Sequence, residues 1–406
     1  MKRSLTLVAL IVVCMAALAL MPALASPQDL AGKTGDSEKF LRMGKDAIAG
    51  HYIVVLDMDS SGKSGDLFSA ASATSDLTLA YGGVATHVYA DALYGFAAQM
   101  SEDQALRLSS DPRVKFVEED SIMSANVTQN NAPWGLDRIG QRDLPLNGAY
   151  SYTANGAGVN AYVIDTGIRR THTQFGGRAF VGFDAIGDGQ NTNDCNGHGT
   201  HVSGTVGGST YGVAKGVRLF AVRVLNCSGS GSNSGVIAGV NWVTANHIDP
   251  AVANMSLGGG ASSALDTAVN NSINAGVTYA VSAGNSNTNA SGSSPARVAA
   301  AITVGSSTIN DARSSFSNFG SGVDIFAPGS SIISAWRTSN TATATLSGTS
   351  MASPHVAGVA ARFLQNNPSA SPATVRNAIV NDATLNHLSG IPSGTANRLL
   401  FRSSAQ

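Results

Sequence analysis

Short apolar runs alternate with helical patterns along residues 159–282. Runs of strand length, bounded by glycine or polar residues, lie at 159–164, 218–225, 251–256 and 277–282. Between them, 232–246 and 262–275 place apolar residues at helical spacing. Strands that alternate with helices predict an α/β fold, with a parallel central sheet, helices on both of its faces and functional groups at the carboxyl ends of its strands.

The first part of the chain has a smaller and mixed pattern. Runs typical of strands cover 51–56, 95–100 and 114–120. The stretch 101–110 predicts a helix with Ser101 as its N-cap and acidic residues in its first turn. Residues 121–133 are polar and lack a period, which predicts an exposed linker. The sequence therefore predicts a small α+β domain that precedes the larger α/β domain.

The N-terminus has the pattern of a secretory signal peptide. Lys2 and Arg3 are basic, residues 5–20 are apolar, and small residues at 23 and 25 fit a cleavage site after Ala25. The apolar run is short for a membrane span and no second run follows it. We therefore expect residues 1–25 to be removed on export, with no membrane anchor.

Charge separates the two exported parts and limits the class of partner. Residues 26–126 hold 15 Asp or Glu against 8 Lys or Arg, a balance of −7. Residues 127–406 hold 15 Lys or Arg against 11 Asp, a balance of +4. The opposite signs predict that the two parts dock on each other, whereas the net charge of −1 argues against nucleic acid as a partner.

Cysteine usage fits an oxidising compartment. Cys14 lies in the apolar run, so Cys195 and Cys227 are the cysteines left after export. Two such thiols usually pair, and the bond would stabilise the fold by roughly 3–4 kcal/mol in the chain-entropy model. A metal site with His198 and His201 is the competing interpretation.

Three separated motifs carry an acid, a base and a nucleophile. Asp165 follows an apolar strand, His198 lies in a His-Gly-Thr-His motif, and Ser350 lies in Gly-Thr-Ser-Met-Ala at a predicted helix start. A serine hydroxyl needs a base within hydrogen-bond reach, and His198 is preferred over His201 for that role. Ala352 stands where an esterase elbow has glycine, which disfavours an α/β-hydrolase.

The predicted nucleophile helix contains a proline. Pro354 is expected in or near the first turn of a helix over 351–364, where a missing N–H breaks no backbone bond.

The order Asp, His, Ser, together with these motifs, resembles the subtilisin-like serine proteases, or subtilases. Residues 211–215, 253–260 and 314–320 are similar to the proteinase K subfamily, and within it to aqualysin-type secreted bacterial proteases. The resemblance covers 132–402 and, more loosely, the preceding part, which looks like an inhibitory prodomain.

The resemblance implies a secreted serine endopeptidase. Asp165 would orient His198, Ser350 would form an acyl-enzyme, and Asn285 would donate to the oxyanion with the Ser350 backbone N–H. Two edge segments and a pocket wall would bind an extended peptide through Gly229, Ser230, Gly231, Ser256, Leu257, Gly258, Ser282, Ala283 and Gly284. These small and apolar residues imply broad specificity, with apolar or aromatic side chains preferred before the scissile bond. An inactive homologue that binds peptides is the alternative function.

The same resemblance implies how the enzyme matures. Residues 26–126 would be a folding-assisting and inhibitory prodomain, with an independent accessory domain as the alternative. Residues 127–406 would be the peptidase domain, acting as a monomer on protein substrates. The enzyme would cut its own chain between Asn126 and Val127.

The resemblance also implies structural calcium and a disulfide. The side chain of Asp324 with the carbonyls of Ala299 and Ala301 matches one family site, and oxygen ligands suit Ca²⁺. Asp137 would belong to a second site, which Gly140 weakens. A third set, Asp184, Asp188 and Asp194, is either another site or a solvated acidic loop. Cys195 and Cys227 match a family disulfide.

Overall fold

The computed structural model describes residues 38–43, 47–57, 67–121 and 127–402. The chain divides into two compact units, Met1–Met123 and Ser124–Gln406. The predicted signal peptide and Asn126 lie outside the described residues. Within the described ranges, no helix combines the length and the hydropathy that crossing a bilayer requires.

The first unit is a sheet with helices packed against it. Its described elements are β1 (Phe40–Leu41), β2 (Ala47–Leu56), α1 (Leu67–Tyr81), β3 (Val84–Tyr89), β4 (Gly95–Gln99), α2 (Glu102–Ser109) and β5 (Val114–Ser121). The strand order is β1-β5-β2-β4-β3. Ser101 caps α2 in a reciprocal capping box with Gln104, as the sequence predicts. The core includes Phe96, Leu77, Leu108 and Val117 from both layers, which confirms the α+β prediction.

The sequence pattern did not predict helix α1. Phe68 and Leu79 are exposed, whereas Thr74 lies in its buried face beside Leu77. The Thr74 hydroxyl donates to the carbonyl of Ala70, which lets a polar side chain be buried there. Because large apolar side chains are exposed and a threonine is buried, the apolar residues of α1 do not follow the helical period of its buried face.

The second unit is built on a nine-stranded sheet. Its main strands are β8 (Asn160–Asp165), β9 (Ala179–Asp184), β10 (Arg218–Arg223), β11 (Ala251–Met255), β13 (Thr278–Ser282), β15 (Ile302–Ser307), β16 (Ile325–Pro328), β19 (Thr384–Leu385) and β20 (Arg398–Leu399). The order is β19-β20-β16-β15-β13-β11-β8-β10-β9. Pairing is parallel except between β19 and β20. The predicted parallel sheet is confirmed, with one antiparallel strand at its edge.

The remaining elements connect or cover this sheet. The helices are α3 (Trp134–Ile139), α4 (His198–Gly207), α5 (Asn233–Asn246), α6 (Ser263–Asn274), α7 (Thr349–Asn366) and α8 (Pro372–Asp382). The shorter strands are β6 (Val127–Asn130), β7 (Ala149–Tyr152), β12 (Gly259–Gly260), β14 (Ser293–Ser294), β17 (Ile332–Ala335) and β18 (Thr343–Leu346).

Alternation along the strands separates two buried layers. In β8, Ala161 and Val163 pack with α4, α7 and α8, whereas Tyr162 and Ile164 pack with α5 and α6. Side chains point alternately to the two faces of a strand, so a strand covered on both faces reads as a continuous apolar run. Helices on both faces are therefore confirmed.

The stretch predicted to be a linker is ordered in part, which corrects that prediction. Strand β6 pairs antiparallel with β7, and Val127 lies opposite Tyr152. The side chain of Gln129 donates to the carbonyl of Thr210, just beyond α4 (3.0 Å). Most β6 side chains are exposed, so backbone pairing rather than burial forms this strand, and no hydrophobic period marks it.

Candidate active site

Asp165 ends β8 in the interior of the sheet, at the carboxyl edge. Its side chain is fully buried, and Oδ1 accepts a hydrogen bond from the backbone N–H of Thr166 (2.7 Å). A buried carboxylate requires donors, because burial disfavours its charged form. Its further contact is the imidazole of His198.

His198 is the first residue of α4, and the backbone around it is fixed by Asp194. The Asp194 carboxylate accepts from the N–H groups of Gly197 (2.7 Å) and Thr200 (2.9 Å), as an N-cap does. His198 Nδ1 lies 2.8 Å from Asp165 Oδ1 and 2.9 Å from Oδ2. A carboxylate in this place holds the proton on Nδ1, so Nε2 keeps its lone pair.

The surroundings of His198 favour its protonation. Burial disfavours the imidazolium, but the charge of Asp165 and its hydrogen bond outweigh burial and raise the pKa of His198 above 6.5. The ring stays 26% exposed and lines a cleft of about 410 Å³. A basic imidazole at a cleft wall is suited to taking a proton from a bound reactant.

Ser350 is the second residue of α7 and lines an adjoining cleft of about 370 Å³. Its hydroxyl donates to the backbone carbonyl of Ser256 (3.1 Å). Among the hydrogen bonds of the described residues, none joins Ser350 to His198. The structure thus brings Asp165 and His198 into contact and turns the Ser350 hydroxyl toward β11 instead.

The sequence predicted Pro354 in or near the first turn, where no backbone bond is lost; the structure places it inside α7 as the sixth residue, which corrects the expectation that no bond is lost. The helix begins at Thr349, so Pro354 leaves the carbonyl of Ser350 without the usual i+4 donor. The hydroxyl of Ser256 donates to that carbonyl at 2.7 Å. Ser256 therefore both donates to and accepts from Ser350, and it repairs the gap that the proline creates.

Asn285 lies in the loop after β13 and lines the same cleft as Ser350. Its Oδ1 accepts from the backbone N–H of Thr349 (2.8 Å) and from the Thr349 hydroxyl (2.9 Å). With the oxygen held from that side, the amide Nδ2 remains as the donating end. It lies 3.5 Å from the position that a Cβ on Gly348 would take, beside the nucleophile turn.

The predicted peptide-binding residues line the two clefts. Leu257 and Gly258 belong to both, so the clefts are continuous along this segment. The remaining residues of the two predicted edge segments, Gly229, Ser230, Gly231 and Ser256, line the His198 cleft. The predicted pocket wall, Ser282, Ala283 and Gly284, lines the Ser350 cleft. No Asp or Glu is among the described residues of either lining.

The structure joins Cys195 and Cys227 in a disulfide with an S–S distance of 2.04 Å. The bond ties the segment before α4 to the loop that carries Gly229. Arg223 lies beside it and pairs with Asp184 (3.1 Å) and Asp188 (2.5 Å). A guanidinium between these carboxylates leaves the acidic loop without the arrangement of a cation site.

His201 and His355 are buried away from the chemistry predicted for His198. His201 Nε2 donates toward the carbonyls of Ile332 (3.0 Å) and Ala344 (3.1 Å), which hold the β17–β18 hairpin. Burial lowers the pKa of His201 to about 4 and that of His355 to about 4. Neutral imidazoles in these places are packing groups.

The two carboxylates predicted to bind calcium differ in what surrounds them. Both oxygens of Asp324 are engaged, Oδ2 by the N–H of Thr303 (2.8 Å) and Oδ1 by the guanidinium of Arg376. Asp137 is 2% exposed, and its Oδ2 accepts from the N–H of Gly148 (2.7 Å). Its buried Oδ1 has no hydrogen-bond partner. A buried carboxylate oxygen without a partner is available as a cation ligand, whereas both oxygens of Asp324 already accept from protein donors.

Sequence reasoning missed the groups that hold the site from behind. Buried Asn254 donates to the Ser256 hydroxyl and accepts from the Ser353 hydroxyl. Separately, the buried Thr349 donates to Asn285. Of these, the signal for Thr349 and Ser353 was their place beside Ser350 in the motif. Asn254 gave a weaker one, as a polar residue inside the apolar run of β11.

Comparison with known proteins gives the family. The subtilase family model matches residues 156–399, and the peptidase inhibitor I9 model matches residues 51–126. An extracellular serine proteinase of Thermus sp. (strain Rt41A) is 59% identical over 314 residues, 77% of each chain. The alkaline serine exoprotease A of Vibrio alginolyticus is 52% identical over 365 residues, 87% of this chain and 68% of that one.

A solved structure agrees with this assignment. The crystal structure of a cold adapted subtilisin-like serine proteinase covers 67% of this chain and 98% of its own, with a TM-score of 0.65 and 56% identity. Together with the family model, it confirms the predicted fold and resemblance: the chain belongs to the subtilase family of serine proteinases and carries an I9-type inhibitor region ahead of its peptidase unit.

Proposed function

We propose that this serine proteinase is a secreted endopeptidase in which Ser350 is the nucleophile, His198 the general base and Asp165 its orienting acid. The contact of His198 Nδ1 with both oxygens of Asp165 carries the proposal, because it leaves Nε2 as the acceptor on the cleft side. The Thermus relative is named an extracellular serine proteinase, and the N-terminus of this chain has the pattern of a signal peptide. Both observations support export.

The reaction follows from these positions. Ser350 gives up its hydrogen bond to Ser256, its Oγ attacks the carbonyl carbon of the scissile bond, and its proton passes to His198 Nε2. The negative charge that develops on the carbonyl oxygen is stabilised by Asn285 Nδ2 and the Ser350 N–H. His198 then protonates the leaving amine, and water hydrolyses the acyl-enzyme with His198 again as base.

The clefts favour extended peptides of broad sequence. Leu257 and Gly258 run along both clefts and offer backbone groups to a substrate strand. Ala283 and Gly284 form a small-residue wall, and no acid in the lining would select a basic side chain. The preferred residue before the scissile bond is therefore apolar or aromatic. Action as a monomer stays a prediction.

Self-processing of the proenzyme is part of the proposal. The I9 match ends at residue 126, the predicted cleavage position. The acidic balance of 26–126 against the basic balance of 127–406 supports binding of the released prodomain as an inhibitor.

Replacement of the nucleophile tests the assignment. Ser350→Ala should lower casein hydrolysis by about 10⁶-fold, a magnitude measured on subtilisin, a member of this family, and should leave the secreted chain uncut near residue 126 by intact mass. Ser347→Ala is the matched control, because the exposed Ser347 loses the same group close by. An active and processed Ser350→Ala protein would contradict the proposal.

Calcium binding is common among subtilases, and the finer proposal concerns which carboxylate holds the ion. We assign it to Asp137, whose buried Oδ1 would gain the ligand it lacks, rather than to Asp324 with Ala299 and Ala301. The ion would supply structural stabilisation, about 2.7 kcal/mol at a concentration of 100 times its Kd.

Thermal unfolding of inactive Ser350→Ala protein, with calcium or with chelator, tests this choice. The calcium-dependent rise in Tm should disappear in Asp137→Asn and persist in Asp324→Asn. The reverse pattern would return the ion to Asp324 and would mean that Arg376 moves away from it.

A further inference from the structure

A buried asparagine packs against the loop that carries Asn285. Asn318 is 2% exposed. Its Nδ2 donates to the carbonyl of Ala283 (2.8 Å), and its Oδ1 accepts from the N–H groups of Ser286 (3.0 Å) and Thr288 (3.1 Å). One amide thus binds the loop on both sides of Asn285, before it and after it.

The backbone approaches as closely as the side chain. The N–H of Asn318 donates to the carbonyl of Gly284 (2.9 Å). Gly284 has φ of 101°, and a Cβ there would lie 2.4 Å from Asn318 Nδ2. The glycine is needed both for its left-handed backbone and for this contact. Ala283, Gly284 and Asn285 line the cleft, and Asn318 reaches its lining beside them.

Asn285 is therefore fixed from two directions. Thr349 holds its side-chain oxygen, which sets the rotation of the amide. Asn318 holds the loop backbone, which sets where the amide stands relative to Ser350. The position of an oxyanion donor has to be correct to about 0.5 Å, because a misplacement of about 1 Å can lower turnover by about 10²-fold.

We propose that Asn318 is a positioning residue for the reaction: it places the oxyanion-binding Asn285 and sets the depth of the pocket for the side chain before the scissile bond. This inference rests on the proposed function, because it presumes that Asn285 stabilises the oxyanion. An amide is required at this position. Aspartate would lack the donor for Ala283, and alanine would leave that carbonyl and the N–H groups of Ser286 and Thr288 without these partners.

The competing view is that Asn318 only stabilises the fold. Asn160 separates the two views, because it is equally buried, at 1% exposure, and its Nδ2 donates to the carbonyl of Ile248 (2.8 Å) at the amino end of β8. Asn160→Ala should lower Tm without reaching the cleft. It provides a control matched in residue type and burial, with one side-chain hydrogen bond and a buried Oδ1 that has no partner.

The experiment compares mature wild type, Asn318→Ala, Asn318→Asp, Asn160→Ala and Asn285→Ala. Steady-state kinetics use two peptide amides that differ only in Phe or Ala before the scissile bond, and Tm is measured in parallel on Ser350→Ala backgrounds. We expect Asn318→Ala to lower kcat by ~10–100-fold and to change the Phe-to-Ala ratio of kcat/KM. Asn318→Asp should change both in the same direction, and it serves if the alanine variant does not fold.

The outcomes are distinct. If Asn318 variants keep kcat within about twofold of wild type and keep the Phe-to-Ala ratio, while Asn285→Ala loses turnover, the positioning role is wrong and the proposed function stands. Equal losses in Asn160→Ala would also overturn the role, because fold stability alone would explain them. If Asn285→Ala retains full kcat, the oxyanion assignment fails and this inference fails with it.

Discussion

The base half of the cleft, Asp165 and His198, and the nucleophile half, Ser350 and Asn285, are held in different ways. In the base half, the reactive side chains contact each other directly, at 2.8 and 2.9 Å. In the nucleophile half, each side chain is bound by a neighbouring group, the Ser350 hydroxyl by Ser256 and the Asn285 oxygen by Thr349.

This difference matches what each half must do. The imidazole has to keep one tautomer through the whole reaction, so a fixed carboxylate beside it is useful. In the proposed reaction the serine hydroxyl has to leave the Ser256 carbonyl and form a bond to carbon, and one hydrogen bond holds it before that step. The base half is held by two short contacts, whereas the Ser350 oxygen has a single hydrogen bond to give up.

Among changes that keep the Ser350 hydroxyl, the largest effect should come from breaking the pair within the base half. Asp165→Asn should lower kcat by about 10⁴-fold, the loss found for this change in a trypsin-like triad. The pKa of His198 should also fall, because Asp165 raises it. The base must be neutral, so the acidic limb of the kcat/KM profile should move to lower pH.

Residual activity measured against pH tests both parts of that prediction. Asp188→Asn is the control, since Asp188 carries a similar ion pair outside the clefts. An unchanged acidic limb in Asp165→Asn would mean that another group sets the pKa of His198.

The two histidines of α4 sharpen the comparison, because the structure shifts their pKa values in opposite directions. His198 should protonate above pH 6.5, which stops catalysis, whereas His201 stays neutral down to about pH 4. Between pH 6.5 and 4 the unfolded state binds more protons at His201, so the free energy of unfolding decreases as the pH is lowered, by about 3 kcal/mol in total. Mild acid should therefore inactivate reversibly, and the free energy of unfolding should be lower at pH 4 than at pH 7.

Imidazole NMR titration of Ser350→Ala protein checks the order of the two pKa values. Unfolding free energies at pH 4 to 7 check the slope, which should flatten in His201→Gln. Protonation of His201 before His198 would contradict the structural distinction.

The smallest effect concerns the support of the nucleophile. Ser256→Ala removes the donor from the Ser350 carbonyl. It should lower the free energy of unfolding by about 1–2 kcal/mol and raise the activation free energy for kcat by a similar amount, as expected for a buried acceptor left unpaired. Pro354→Ala restores a helical N–H that can reach the same carbonyl. The double variant should therefore recover part of the loss.

A double-mutant cycle on kcat and Tm measures this compensation. Additive losses in Ser256→Ala with Pro354→Ala would show that the proline and the serine are unconnected. A loss in Tm without a change in kcat would mean that Ser256 stabilises α7 but does not place Ser350.

The sequence was informative where a local pattern has one structural solution. The apolar run ending at Asp165 forms a buried strand, and the helices over 233–246 and 263–274 lie within the predicted helical ranges 232–246 and 262–275. The position of Asp165 at the carboxyl edge follows from the parallel sheet. Motif order then indicated which side chains belong to one chemistry.

Contacts between distant segments were beyond such reasoning. Nothing near Asn318 indicates that it binds a loop some thirty residues away, as it does with Ser286. Pro354 was misplaced because capping rules describe isolated helices, and the partner that makes the proline tolerable, Ser256, comes from another strand. The order of β6 was missed because its pairing with β7 uses only the backbone.

Strand β6 has a consequence for the direction of maturation. It is held near the carboxyl ends of α4 and α7, through Gln129 on Thr210 and through β7, whose Tyr150 bonds Arg362. Arg362 lies about 18 Å along α7 from Ser350. If the chain is cut before Val127 as proposed, the new N-terminus would begin within this strand, with Val127 opposite Tyr152. Backbone pairing with β7 would then hold that end on the peptidase unit.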